Sequence, residues 1–289
     1  MVIMVIRMSV KVPEKLGLIA GNRSLPIEFA RLVRKESSAR VVAVAFENET
    51  EPVIEQLVDE VVWLKVGQLE RLITAFKSRG ITKCVMLGQI APRNLFDLRP
   101  DLRAMRVLYR LREKNAHSIF AAIADELRKD GIELVEATPW LKPLMPGAGF
   151  RLGRELTEEE KSDVVFGLRI AKQIAGLDIG QTVVVKRGTV LAVEALEGTD
   201  QCLVRGGGLA GPGGGAVAVK VTKPGHDMRF DIPTVGPKTV EVCSENGVGV
   251  LAFEAEKTLV VEMDAVSSAV AKRKLSIVAV DETFDGSGC

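Results

Sequence analysis

"KLGLIAGNRSLPIEFARLVRKES" (residues 15–37) decides the fold class. Its first seven residues are an apolar run ending in Gly21, the pattern of a buried strand. "LPIEFARLVRKES" then carries apolar residues at helical spacing, with Pro26 in the first turn, where a missing N–H costs nothing. The same alternation continues outward. "RVVAVAF" (40–46), "DEVVWLK" (59–65), "TKCVMLG" (82–88) and "IELVEA" (132–137) read as strands. Between them lie a short helix over 51–58, the amphipathic "QLERLITAFKSRG" (68–80) closed by Gly80, and helical character over 97–130 ended by Gly131. Strand and helix alternating at this spacing predict a parallel sheet covered by helices, a Rossmann-like N-terminal domain.

"TPWLKPLMPGAGF" (138–150) breaks the pattern with prolines and glycines and reads as a linker. It separates a domain over 9–138 from one over 151–289, with 139–150 between. Its Trp140, Leu141, Leu144, Met145 and Phe150 either form an acyl-binding strip or pack under the linker. The second half changes character. "TEEEKSDVVFGLRIAKQIAGL" (157–177) opens with a capping-type Thr and an acidic first turn. Short strands follow: "TVVVKRG" (182–188), "VLAVEA" (190–195), "AVAVKV" (216–221), "MRFDIP" (228–233), "TVEVC" (239–243) and "TLVVEM" (258–263). A helix near 263–273 and a strand at 275–280 close an α+β domain with a mixed sheet. The fold class expected is α/β: a Rossmann-like parallel-sheet domain, then an α+β mixed-sheet domain.

The bulk numbers exclude several function classes. The 289-residue chain is 47% hydrophobic and 27% charged, which suits a globular protein with a real core. A net charge of +1 announces neither nucleic acid nor an acidic surface as partner. Ten Phe, two Trp and one Tyr are too few for a base-stacking platform. Cys84, Cys202, Cys243 and Cys289 form no CxxC pair, which suggests reduced thiols in a cytoplasm. "MVIMVIRM" (1–8) is too short to span a bilayer or serve as a signal segment.

"GGGLAG" (206–211) matches G-x-G-x-x-G, but glycines and a strand follow it where a dinucleotide site needs a helix. It reads as a mobile surface loop. "GNRSLP" (21–26) leads from strand to helix at the edge where open α/β sheets bind ligands. Backbone N–H groups and Arg23 there suit a phosphate or a uracil edge; a tight turn without ligand fits as well. "VEALEGTD" (193–200) gathers Glu194, Glu197 and Asp200 about a turn, as a hard divalent ion or a plain polar hairpin would have it. In "KPGHDMRFDIPTVGP" (223–237), Asp227, Arg229 and Asp231 fall at i, i+2 and i+4, so a strand would put all three on one face. Met228 and Phe230 would then face a core. Lys220, Lys223 and Arg229 add the cations a phosphoryl-transfer site requires. Asp178 and Gln181 in "LDIGQTVVVK" (177–186) are ligands or turn formers. His117 reads as a surface or core histidine, and His226 beside Asp227 as a weak base candidate.

The strings "LDIGQTVVVKRGTVLAVEALEGTD" (177–200) and "KPGHDMRFDIPTVGP", with "KLGLIAGNRSLP" at the start, resemble the LpxI family, the UDP-2,3-diacylglucosamine pyrophosphatases of lipid A biosynthesis. The likeness covers nearly the whole chain and is densest over 177–241. It implies two α/β domains with the substrate held between them and its acyl chains in an apolar cleft. The implied reaction is hydrolysis of UDP-2,3-diacylglucosamine to UMP and 2,3-diacylglucosamine 1-phosphate (lipid X), with water attacking the sugar-side phosphorus and Mg²⁺ or Mn²⁺ required. Carried over residue by residue, Asp231 in the R-x-D-I-P element ranks first as catalytic carboxylate and Asp227 second. Asp231, Asp200 and Asp227 are the implied metal ligands. Thr199, Lys223 and Arg229 match family positions and join Gly21, Asn22, Arg23, Ser24, Leu25, Pro26, Gln89 and Lys220 in the expected substrate-binding set.

Departures gather in the first half. The family's glycine triplet is Gly21-Asn22-Arg23 here, its "KGDD" aligns with Lys114-Asn115-Ala116-His117, and "GQIAPRN" (88–94) diverges. A paralogue acting on another nucleotide-diphospho substrate, and a non-catalytic nucleotide- or lipid-binding protein on the same scaffold, are the alternatives. The partners implied are a nucleotide-linked glycolipid, no nucleic acid, a peripheral association with the inner membrane, and a homodimer.

Overall fold

Strand β1 (Lys15–Ala20) is buried at every position after Lys15, as a strand covered on both faces must be. The chain turns at Gly21 into α1 (Leu25–Glu36), whose Phe29, Ala30 and Val33 form the buried stripe that spacing predicts. The computed structural model describes residues 13–90, 100–111 and 116–286, with the side chains of 116–117 excepted. β2 (Arg40–Phe46), a 3₁₀ turn over Pro52–Gln56, β3 (Glu60–Leu64), α2 (Leu69–Lys77) and β4 (Lys83–Leu87) follow. Then come α3 (Leu102–Arg110), α4 (Ala116–Lys129), β5 (Glu133–Leu134) and α5 (Thr138–Leu141). The five strands form one parallel sheet in the order β3-β2-β1-β4-β5. That is the strand order of a Rossmann-like half, with its reversal of strand order between β1 and β4. The core beneath it includes Val42, Val44, Phe76, Leu127 and Ile132.

The second unit starts at Lys142. β6 (Arg151–Leu152) leads to α6 (Glu158–Gly176), whose Thr157 and Glu160 make the capping box that "TEEE" predicts. β7 (Thr182–Lys186), β8 (Thr189–Val193), α7 (Thr199–Leu209), β9 (Ala216–Lys220) and β10 (Thr234–Val235) follow. α8 (Pro237–Glu245), β11 (Val248–Glu254), β12 (Leu259–Val260), α9 (Met263–Lys272) and β13 (Ser276–Val280) complete it. Six strands form a mixed sheet in the order β6-β13-β11-β9-β7-β8, parallel across β13, β11 and β9 and antiparallel elsewhere. One core face holds Val184, Leu203, Leu251 and Ile277, the other Val164, Leu168, Val219 and Val278.

Three expectations fail here, each for a nameable reason. "TVEVC" is not a strand but the body of α8. Five residues cannot separate a period of 2 from one of 3.6, and Gly236-Pro237 supplies a helix start. "GGGLAG" is not a mobile loop: Gly206 to Leu209 are the last turn of α7, and Gly206 and Gly207 are buried. A Cβ on Gly206 would come within 2.5 Å of Val184, and one on Gly207 within 1.8 Å of the Asn246 carbonyl. The glycines are there so that the helix can lie on the sheet and against α8. Lys186 Nζ donates to the carbonyls of Ala210 (2.7 Å) and Gly214 (2.6 Å), closing the end of α7. The third failure is "MRFDIP", where residues 228–230 form a turn and no strand begins before Thr234.

The linker reading covers α5 and a 3₁₀ turn over Lys142–Leu144. Trp140 and Leu141 are buried, and Trp140 meets Phe29 of α1 edge-on at 6.0 Å, so these two pack. The first compact unit runs to Leu141 and also takes in Met228–Asp231; the second comprises 142–227 and 232–289. No described helix is long and apolar enough to cross a membrane.

Candidate functional site

In the first unit the turn after β1 lies at the reversal point of the parallel sheet, where the β1 and β4 carboxyl ends diverge. Gly21 N–H donates to the Leu87 carbonyl (2.8 Å) and Asn22 N–H to that of Gln89 (2.7 Å), so the two loops are locked backbone to backbone. The fit admits no side chain: a Cβ on Gly21 would stand 2.5 Å from the Gln89 carbonyl, and one on Gly88 2.5 Å from that of Asn22. Asn22 Nδ2 donates to Glu49 Oε2 at 2.6 Å. Thr50 Oγ1 donates to the Ala20 carbonyl (2.5 Å) and accepts from Phe46 N–H (2.9 Å), which fixes the floor. Asn22 Oδ1 is buried with no hydrogen-bond partner among the described residues, an acceptor a ligand's N–H would satisfy. Arg23 is exposed and left-handed (φ 68°), a strained position for a residue with a Cβ. Ser24 precedes α1 without a side-chain cap, Leu25 opens the helix and Pro26 is buried in its first turn.

In the second unit the polar groups collect at the carboxyl edge of β9 and β11. Lys220, the last residue of β9, donates to Thr199 Oγ1 at 2.7 Å. Thr199 Oγ1 donates to Glu194 Oε1 at 3.1 Å and stands 3.4 Å from Thr182 Oγ1. Glu194 follows β8, and its Oε2 is buried without a hydrogen-bond partner among the described residues. Thr199 and Asp200 open α7, whose cap is Gly198 (φ 82°) with no side chain to satisfy the first N–H groups. Glu197 turns away, paired with Arg205 and receiving Ala195 N–H.

Past the same edge runs the segment 221–233. Its root is pinned three times. Val221 N–H donates to the Gln181 carbonyl (2.9 Å), Thr222 N–H to Glu254 Oε2 (2.9 Å), and Lys223 Nζ pairs with Asp178 at 2.6 Å. Glu254 is 3% exposed and also holds Lys172 and Lys257, each at 2.6 Å. Burial pushes its carboxyl up, but the two ammonium groups and the Thr222 N–H outweigh that and hold it below the ordinary carboxylate value.

The alternation argument for Asp227, Arg229 and Asp231 does not survive. Gly225 (φ 67°) and the turn at 228–230 replace a strand, because alternation is local while a strand needs a partner edge. Asp227 is half-buried in the second unit, and Asp231 is exposed and groups with the first. Phe230 does reach a core: it packs against the first unit's apolar cluster, stacks on Phe120 at 6.2 Å, and lies under the Arg229 guanidinium at 4.9 Å. Asp200 opens α7 and Asp227 also belongs to the second unit, while Asp231 groups with the first. Among the described residues no group of three or more His, Cys, Asp or Glu side chains could hold an ion. Burial pushes the Cys202 and Cys243 thiols up to about 12, and Cys84 higher still, so none of the three offers a thiolate at neutral pH.

Residue reasoning missed Glu254, Lys172, Thr182 and Glu49. Each is a lone polar residue at a strand end, on a helix or, for Glu49, in the turn after β2, brought to its site only by the sheet order. Lys114, Asn115 and residues 91–94 of the divergent loop lie outside the described residues, as do Met1 to Met8 and Cys289, and the side chain of His117 is not described.

Two α/β units, one on a parallel and one on a mixed sheet, define a two-unit α/β protein, and each leaves a buried polar atom unsatisfied at a strand end, Asn22 Oδ1 in the first and Glu194 Oε2 in the second. The chain belongs to the LpxI family. The LpxI N-terminal domain matches residues 15–144 and the LpxI C-terminal domain residues 147–278. UDP-2,3-diacylglucosamine pyrophosphatase LpxI of Caulobacter vibrioides is 32% identical over 278 residues, covering 92% of this chain and 98% of its own. Among solved structures, a glycinamide-RNase-transformylase T from Mycobacterium tuberculosis covers 63% of this chain and 44% of its own at 15% identity, with a TM-score of 0.25, too low to argue from.

Proposed function

We propose that the protein hydrolyses the diphosphate of UDP-2,3-diacylglucosamine, releasing UMP and 2,3-diacylglucosamine 1-phosphate. The observation that carries this is the reach of the likeness: 32% identity runs through 98% of a relative bearing that activity in its name. In the reaction the water oxygen bonds to the sugar-side phosphorus, the bond from that phosphorus to the bridging oxygen breaks, and UMP leaves with that oxygen. Asp231 orients the water. Lys220, held on Thr199, together with Lys223 and Arg229, offsets charge gathering on the diphosphate oxygens. Asn22, Arg23 and Gln89 contact the nucleotide. Mg²⁺ or Mn²⁺, when bound, would be held by Asp231 with Asp227 or Asp200 and would supply Lewis-acid polarisation of the phosphoryl group.

Incubation with UDP-2,3-diacylglucosamine and Mn²⁺ or Mg²⁺ is expected to release UMP and the sugar phosphate in equal amounts. Prior dialysis against EDTA is expected to stop turnover, and either ion to restore it. Full turnover in EDTA would remove the metal from the account and leave the hydrolase. Ligand binding with no UMP under any divalent ion would favour a binding protein on the same scaffold. The departures at Gly21-Asn22-Arg23 and at 115–117 favour one further reading, another nucleotide-diphospho substrate, which parallel assays on UDP-sugars lacking acyl chains distinguish.

A further inference from the structure

Helix α3 carries apolar side chains on the face turned away from the core. Leu102 is 68% exposed, Met105 45% and Tyr109 90%, while Ala104 and Val107 are buried. At about 100° per residue, the three exposed residues span roughly 60° of the helix, opposite the buried pair. A surface helix normally puts polar residues there. Arg106 and Arg110 are exposed beside this stripe and line a cavity of about 310 Å³ with Glu70, Arg103, Glu126 and Lys129. Arg103 is already engaged by Glu70 (3.2 Å), Glu126 (2.8 Å) and Asp130 (2.5 Å), and Lys129 by Glu126. Neither Arg106 nor Arg110 has an ion pair with a described residue.

We propose that this face of α3 docks on an anionic lipid bilayer, with Leu102, Met105 and Tyr109 entering the interface and Arg106 and Arg110 meeting lipid phosphates. A helix with an apolar stripe and basic side chains along one edge of it lies in the plane of such an interface, and a single short patch binds reversibly. The proposal rests on the hydrolase reading in one respect: a substrate with two acyl chains resides in a bilayer. Arg106 and Arg110 commit this face to a bilayer as its occupant, because lipid phosphate headgroups complement them.

The test is co-sedimentation of the full chain with vesicles of phosphatidylglycerol and phosphatidylcholine, compared with phosphatidylcholine alone. The protein is expected to sediment with the anionic vesicles. The Arg106→Glu/Arg110→Glu variant and the Leu102→Asp/Met105→Asp/Tyr109→Asp variant are each expected to lower the partition at least about tenfold. Should the triple variant lose its fold, Tyr109→Glu alone carries the same reading. UMP release from substrate dispersed in detergent is expected to stay unchanged. Absence of sedimentation with anionic vesicles, or variants that sediment like the parent, overturns the proposal. So does a dimer, seen by light scattering, that Tyr109→Glu dissolves while vesicles are ignored. Vesicle binding that depends on α3 without any UMP release would sink the hydrolase reading and leave this surface standing.

Discussion

Asp231→Asn is expected to lower kcat for UMP release by at least about a hundredfold, the scale for losing a carboxylate that orients or deprotonates an attacking water. The substitution keeps the size of the side chain and removes its charge. Asp231 is exposed in an irregular segment, so the melting temperature is expected to move by no more than about 2 °C. That separation makes the experiment decisive about role. A structural aspartate would lose stability and activity together. KM is expected to change little, because a group that acts on the water contributes mainly in the transition state. A variant with the parent's kcat would remove Asp231 from the chemistry and move attention to Asp227, half-buried at the other end of the same turn.

Glu254→Ala is expected to show the opposite profile, with stability lost first. The carboxylate is 3% exposed and receives two ammonium groups and the Thr222 N–H. Removing it strands a backbone donor and two cations, one of them 25% exposed and the other 49%, so water softens the loss. A cost of about 2–4 kcal/mol follows, read as a fall of roughly 5–12 °C in the melting temperature. Activity is expected to fall as well, because Thr222 roots the segment that bears Lys223, Asp227 and Asp231. The pH dependence gives a sign. The folded carboxyl lies below its ordinary 4.5, so its contribution is complete above that value and is lost as pH falls through the folded value. The gap in melting temperature between the parent and Glu254→Gln is therefore expected to be widest near neutrality and to close in acid. A gap constant down to pH 3 would mean that the charge of Glu254 contributes nothing.

What could be read from residues follows a physical boundary. α1 was legible because twelve residues carry three turns of apolar spacing and a proline at the start. β1 was legible because an unbroken apolar run of that length belongs in a covered sheet. α8 was not, since its alternating Val240 and Val242 fit either period over so short a span. The glycines of α7 misled because helix propensity counts against them, while the close approach to Val184 and Asn246 that requires them is a property of the packed unit. At the site, the turn at Gly21 was legible as a type, and Lys220 and Thr199 only as separate candidates, not as the pair they form. That Thr199 would bridge Lys220 to Glu194, and that Glu254 would fasten the root of the 221–233 segment, depended on the order β11-β9-β7-β8, which no local pattern encodes.

The most direct measurement of the central claim is hydrolysis of UDP-2,3-diacylglucosamine in ¹⁸O-enriched water, with both products analysed by mass. Attack on the sugar-side phosphorus predicts one labelled oxygen in 2,3-diacylglucosamine 1-phosphate and none in UMP. Label found in UMP would place the attack on the other phosphorus, and absence of both products would contradict the assignment altogether.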